Sequence, residues 1–225
     1  MNVRIRILIV AAVVAGLGTA IFFRVSGGTS PPSRGPVIAR VDGDPIYLAD
    51  ARARVAGIET VHGGVESLGE DWPDRILDSL VDDVLIRRQA QASGISLTDD
   101  KIDEAVDSIR AGFPSENDFS AWLDRQGMTL DELERRIRLN LLGARVYLEV
   151  TREVSVSPED VRAYYRRHRE EYDTGDRVIP LLEVRVEIRE RLRKKEKDRA
   201  FGVWLDEQRR NVDVVVVRED WWGSL

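Results

Sequence analysis

Glycine and proline cut this chain into short lengths, and within most of those lengths apolar residues recur every third or fourth position. That spacing puts the apolar side chains on one face of a helix, so the chain is predicted to fold as a series of capped amphipathic helices. Trp72-Pro73-Asp74 opens one in which Ile76, Leu77, Leu80, Val81, Val84 and Leu85 share a face, and Gly94 ends it. Thr98 is placed to cap the next, with Asp99 and Asp100 in its first turn and Ile102, Val106 and Ile109 as its stripe. Gly112-Phe113-Pro114 stops that helix, residues 115–125 form a short one, and Gly127 closes it. Thr129 and Glu132 have the capping-box spacing ahead of Leu133, Ile137, Leu141, Val146 and Leu148. Ser157-Pro158 starts another helix carrying Val161, Tyr164, Tyr165 and Tyr172. Beyond Pro180 a long charged helix covers residues 182–210.

Two runs break the helical pattern. Residues 37–41 and 212–217 are β-prone and stand at opposite ends of the folded part, with Asp42-Gly43-Asp44-Pro45 read as a turn leading into a first helix at 48–56. They are expected to pair as a two-stranded sheet that brings the N- and C-terminal ends of the domain together. The fold class is therefore mainly α with one small sheet.

Ahead of all this, residues 7–23 run for 17 positions without a charge, the lower limit for a helix that spans a bilayer. Arg4 and Arg6 precede the run, which predicts a cytoplasmic N-terminus (residues 1–6), a transmembrane signal anchor (7–23) and an extracytoplasmic remainder. Gly18-Thr19-Ala20 also fits a signal-peptidase site, so cleavage after Ala20 is the competing reading. Residues 24–36, rich in Gly, Ser and Pro, have linker composition.

Composition excludes several functions. Cysteine is absent and histidine occurs only at 62 and 168, which leaves little with which to build a metal site. Residues 35–225 hold 30 of the 34 bases and all 40 acids, a net of −10 that disfavours nucleic acid as a partner. No phosphate loop, nucleophile elbow or zinc-protease motif occurs in the folded part. No catalytic residue, cofactor or metal is expected. Asp82-Asp83 reads as a polar helix face, His62 and His168 as solvent-facing, and the basic run 189–199 as one side of a solvated helix. Phe113, Phe119, Trp122, Met128 and Leu130 are candidates to line a cleft for unfolded polypeptide, with packing of a short helix on its neighbour as the alternative. Trp221-Trp222 either covers the sheet edge or joins such a surface.

The order of these elements resembles the N-terminal chaperone domain of the SurA and PrsA class of extracytoplasmic folding factors, a relative of trigger factor. The resemblance rests on ARVDGDPI at residues 39–46, ILDSLVDDVLI at 76–86, VSPEDVRAYY at 156–165 and FGVWL at 201–205. It implies a helical chaperone domain over 37–172 and its closing helix and strand over 182–217, with a tail at 218–225. In that class a parvulin-type prolyl isomerase domain usually lies between the two parts. Here only residues 173–181 fill the gap, too few for a domain of roughly 50 residues or more. The resemblance thus implies a membrane-tethered, ATP-independent chaperone for unfolded or nascent secreted polypeptides, without isomerase activity. An adaptor for one envelope partner is the rival reading, and an isomerase the reading favoured by family alone.

Overall fold

A computed structural model describes residues 34–62 and 64–225. The expected anchor at 7–23, the segment before it and most of the linker lie outside these residues. Among the described residues no helix is long and apolar enough to cross a membrane.

The sheet has three strands where two were expected. Strand β1 (Val37–Val41) is central, flanked by β2 (Asp44–Tyr47) and by β3 (Val214–Val216), and both pairings are antiparallel. The additional strand, β2, begins at Asp44, inside the run Asp42-Gly43-Asp44-Pro45 that was expected to be wholly turn. Only Asp42 and Gly43 turn, both with positive φ (44° and 92°), as a two-residue hairpin requires. Pro45 then sits on an edge strand, where a missing N–H costs no ladder bond. The register of β1 on β2 slips between Val37 and Ala39, and this bulge turns two successive residues, Ile38 and Ala39, into the core at 0% exposure.

The expected pairing of the two ends is present, with Ala39 opposite Val216 and Val41 opposite Val214. Asp42 locks it. Its N–H donates to the Asp213 carbonyl (2.8 Å), and the Asp213 N–H donates back to the Asp42 carboxylate (2.7 Å). That bond, reinforced by Arg88, holds the Asp42 carboxyl below its ordinary pKa. Arg88 also donates to Asp44 (2.8 Å) and to the Val41 carbonyl (2.6 Å), so one guanidinium ties the hairpin to a helix.

Seven helices follow: α1 (Leu48–His62), α2 (Trp72–Ala92), α3 (Asp99–Arg110), α4 (Glu116–Arg125), α5 (Leu130–Val150), α6 (Pro158–Arg167) and α7 (Leu181–Arg210). Helix α1 runs six residues beyond Ala56, through Gly57, so this stretch, which reads from the sequence as either a loop or a continuation of the helix, begins as helix. The Thr129–Glu132 capping box is formed, and Ser157 with Asp160 forms a second one. Thr98 occupies the N-cap position of α3 in extended conformation, but its side chain makes no cap bond. Residues 173–181 form a tight return: Asp173 bridges Val178, and the Ile179 N–H donates to the Tyr172 carbonyl at 2.8 Å.

Three apolar cores hold these elements. The first joins the inner face of the sheet to α1, α2 and Trp221. The second lies among α3, α4 and α5, and the third joins α6, Tyr172 and the start of α7. Helix α2 links the parts through charge as well as packing. Asp82 accepts two bonds from Arg209 of α7 (2.7 Å each), and its neighbour Asp83 pairs with Arg54 of α1.

Candidate functional site

The five residues proposed to line a cleft come together, and they do so as part of the second core. Phe119 is 1% exposed and is packed against Phe113 (5.5 Å between ring centroids) and Trp122 (5.9 Å), with the Arg110 guanidinium over its ring. Phe113, Trp122, Met128 and Leu130 are half-buried against Ile102, Val106, Leu123, Leu133 and Ile137. Helical spacing puts Phe119, Trp122 and Leu123 on one face of α4, and that face closes onto α3 and α5. The partly open rims of Phe113, Trp122, Met128 and Leu130 are what this cluster offers to solvent.

A more open apolar hollow lies beside it, between the end of α2, the α2–α3 connection and α5. Its volume is about 460 Å³, and Ala90, Ile95, Leu97 and Leu142 line it together with Arg87 and Arg138. Gly94 turns the chain out of α2 with φ of 65°, and the Ile95 N–H caps the helix by donating to the Ala90 carbonyl at 2.8 Å. Arg145 of α5 donates to the Ser96 carbonyl (2.6 Å), which pins the connection against that helix. The hollow is therefore held open by hydrogen bonds on two of its sides. Ile95 and Leu142 are half-buried here and belong to none of the three cores.

A second hollow, about 340 Å³, is lined by Gln89, Glu149, Val150, Arg152, Glu153 and Trp204. Trp204 stacks on Phe201 (5.3 Å), whose ring meets Tyr147 edge-on (5.3 Å). The Tyr147 hydroxyl donates to Asp198 (2.8 Å), and burial, aided by that bond, pushes its pKa up to about 12. The charged lining makes this the poorer site for an apolar segment. A third apolar feature is β3. Val214, Val215, Val216 and Val217 are 39–54% exposed, Trp222 is 43% exposed, and no further strand among the described residues covers the outer edge of β3. Trp221 instead is buried (1%) in the first core, edge-on to Trp72 at 6.1 Å, where a cover for the sheet edge or a place on an open surface was expected.

Asp82, Asp83, His168 and part of the basic run make contacts within the fold. Asp82 and Asp83 serve the ion pairs that join α2 to α7 and α1, and burial raises the Asp83 pKa despite the Arg54 charge. In the basic run, Arg191, Arg193, Lys194 and Arg199 each pair with an acid three or four residues away on α7 itself. His168 is half-buried, stacked on Tyr164 at 4.0 Å with Nδ1 at 2.9 Å from the Tyr164 carbonyl, where solvent exposure was expected. His62 is the last residue of α1. Among the described residues no group of three or more His, Asp or Glu is arranged to hold a metal.

Comparison with known proteins bears on what these surfaces serve. The model of the SurA-like N-terminal domain matches residues 1–147. The foldase protein PrsA of Clostridium acetobutylicum is 26% identical over 117 residues, covering 50% of this chain and 35% of that protein. The chaperone SurA of Pectobacterium atrosepticum is 29% identical over 133 residues, covering 56% of this chain and 30% of that protein. The chain thus spans about a third of the length of these relatives. Among solved structures, one of the two structurally related SurA-like chaperones PEB4 and Cj1289 of Campylobacter jejuni matches 82% of this chain and all of its own. With a TM-score of 0.55 and 10% identity, that match is one of fold.

Proposed function

We propose, because this chain belongs to the SurA-like N-terminal domain family, that it is an ATP-independent chaperone which holds unfolded polypeptide. It is tethered by residues 7–23 and works on translocated chains outside the cytoplasm. The observation that carries the reading is the open apolar hollow beside α5, lined by Ala90, Ile95, Leu97 and Leu142 and held by bonds from Ile95 and Arg145. A holding chaperone needs surfaces that gain from burying an extended apolar segment yet release it. One hollow of this size, with the rims of Phe113 and Trp122 nearby in sequence order, offers a few weak contacts rather than one strong one. The tight return at residues 173–181 supports a mode of action without an inserted isomerase domain.

The test is suppression of aggregation of an unfolded secreted protein by the purified chain in the absence of nucleotide. Suppression at several-fold excess is the expected result, and none at any excess refutes the reading. A proline-peptide assay should stay at the background rate. The exposed valines of β3 with Trp222 favour a second reading, an adaptor that binds one folded partner through its sheet edge. Co-purification separates the two: a single stoichiometric partner speaks for the adaptor, a broad set of unfolded clients for the chaperone.

A further inference from the structure

From the charge around the hollow beside α5 we infer its preferred occupant: an extended segment in which an aliphatic side chain stands next to aspartate or glutamate. The inference rests on the chaperone reading and specifies the client chemistry of that same site. Both charged residues that line the hollow, Arg87 and Arg138, are arginines, and Arg145 reaches the adjoining Ser96 carbonyl. The domain around them has the opposite sign, with 40 acids against 30 bases over residues 35–225. A basic patch at an apolar hollow on an acidic surface is the arrangement that complements an acidic-aliphatic segment.

The domain's net charge opposes such a client, so the distances decide. At physiological salt, charges more than about 8 Å apart are largely screened, whereas arginines at the rim of an occupied hollow touch their partner. Contact attraction therefore outweighs the field of acids beyond that range, while Asp99 and Glu134 are near acids with which an incoming carboxylate competes for Arg138. Both arginines stand where an incoming carboxylate can reach them. Arg87 is exposed, and the nearby Asp83 is already held by Arg54. Arg138 donates to Asp99 at 2.7 Å, but the Asp99 side chain is 86% exposed, and such surface pairs exchange readily for another carboxylate. An incoming acid would give the guanidiniums planar, bidentate partners while its neighbour fills the space against Ile95 and Leu142.

The test uses the full chain and three fluorescent, unstructured peptides of equal length and aliphatic content. Their polar positions are Asp/Glu, Asn/Gln or Lys, and binding is read by anisotropy at physiological salt. The acidic peptide is expected to bind about tenfold more tightly than the lysine peptide, with the neutral one between. The double variant Arg87→Glu, Arg138→Glu should abolish or reverse that order. A charge-matched control on α7, Arg185→Glu with Arg189→Glu, should keep it, which separates a local effect from a change in net charge. Both pairs are at exposed or half-buried surface positions, and unchanged circular dichroism checks their folding. Equal binding of the three peptides, or an order that survives in the Arg87/Arg138 variant, overturns the inference while leaving the chaperone reading intact. Binding of none of them, together with no suppression of aggregation, overturns both.

Discussion

Replacing Trp221 by alanine should cost several times more stability than the same change at its neighbour Trp222. Trp221 is 1% exposed and completes the core between the sheet, α1 and α2, edge-on to Trp72. An indole buries about 150–250 Å². At about 25 cal/mol per Å² its loss amounts to about 4–6 kcal/mol, an upper bound because the unfolded chain already hides some of that surface. Observed Trp-to-Ala truncations in cores fall at about 3–5 kcal/mol, which is the expected range here. Trp222 is 43% exposed and touches Trp221 only edge-on at 6.0 Å, so its truncation should cost about 1 kcal/mol or less. Urea unfolding followed by far-ultraviolet circular dichroism measures both without relying on the fluorescence that each variant removes. The midpoint of Trp221→Ala should fall with the slope unchanged. Equal small losses for the two variants would refute the claim that the C-terminal turn is part of the core and that the domain is closed by its two ends.

Other consequences follow from the same contacts. Arg209→Ala, which removes the two bonds to Asp82 between α7 and α2, should destabilise by about 1–2 kcal/mol, since Asp82 is mostly shielded and Arg209 is partly exposed; urea midpoints check this. Ser157→Ala should cost about 1 kcal/mol through loss of the α6 cap. Ser157 holds the Asp160 pKa below its ordinary 3.8, so the stability this carboxylate contributes is present above that value and lost as pH falls through the lowered one; carboxyl-carbon NMR should show the pKa return upward in the variant. Asp83 should titrate above 3.8 in the same experiment. Its protonated form contributes stability that is complete below the unfolded value and is lost as pH rises through the raised one. Tyr147 should resist ionisation until about pH 12, read from tyrosinate absorbance, and Asp198→Asn should lower that value while burial keeps it above 10.0.

What was legible in the sequence was local. Caps such as Thr129 with Glu132 involve side chains three residues apart, and spacing alone identifies them. The pairing of β1 with β3 was legible because these were the two best β-prone runs outside the helices. Strand β2 was missed because Asp44 and Pro45 are turn residues in isolation, and only the left-handed pair Asp42-Gly43 reveals that the turn ends before them. The position of Thr98 predicts a cap, and position settles the backbone but not the side-chain rotamer. The residues around Phe119 were legible as one apolar cluster but not as core or cleft, since one amphipathic face serves either until its neighbours are known. The hollow beside α5 had no linear signal at all. Ala90, Ile95, Leu97, Arg138 and Leu142 come from three elements, and only their packing brings them together.

The central claim is that an open apolar site on this domain holds unfolded polypeptide. A photo-crosslinking residue placed at Leu142 of the full chain, activated in living cells, tests it most directly. Adducts with many different unfolded or newly translocated chains are expected, concentrated at Leu142 and sparse at an exposed control position such as Leu182 on α7. Adducts with one folded partner in fixed proportion, or equal labelling at both positions, would contradict it.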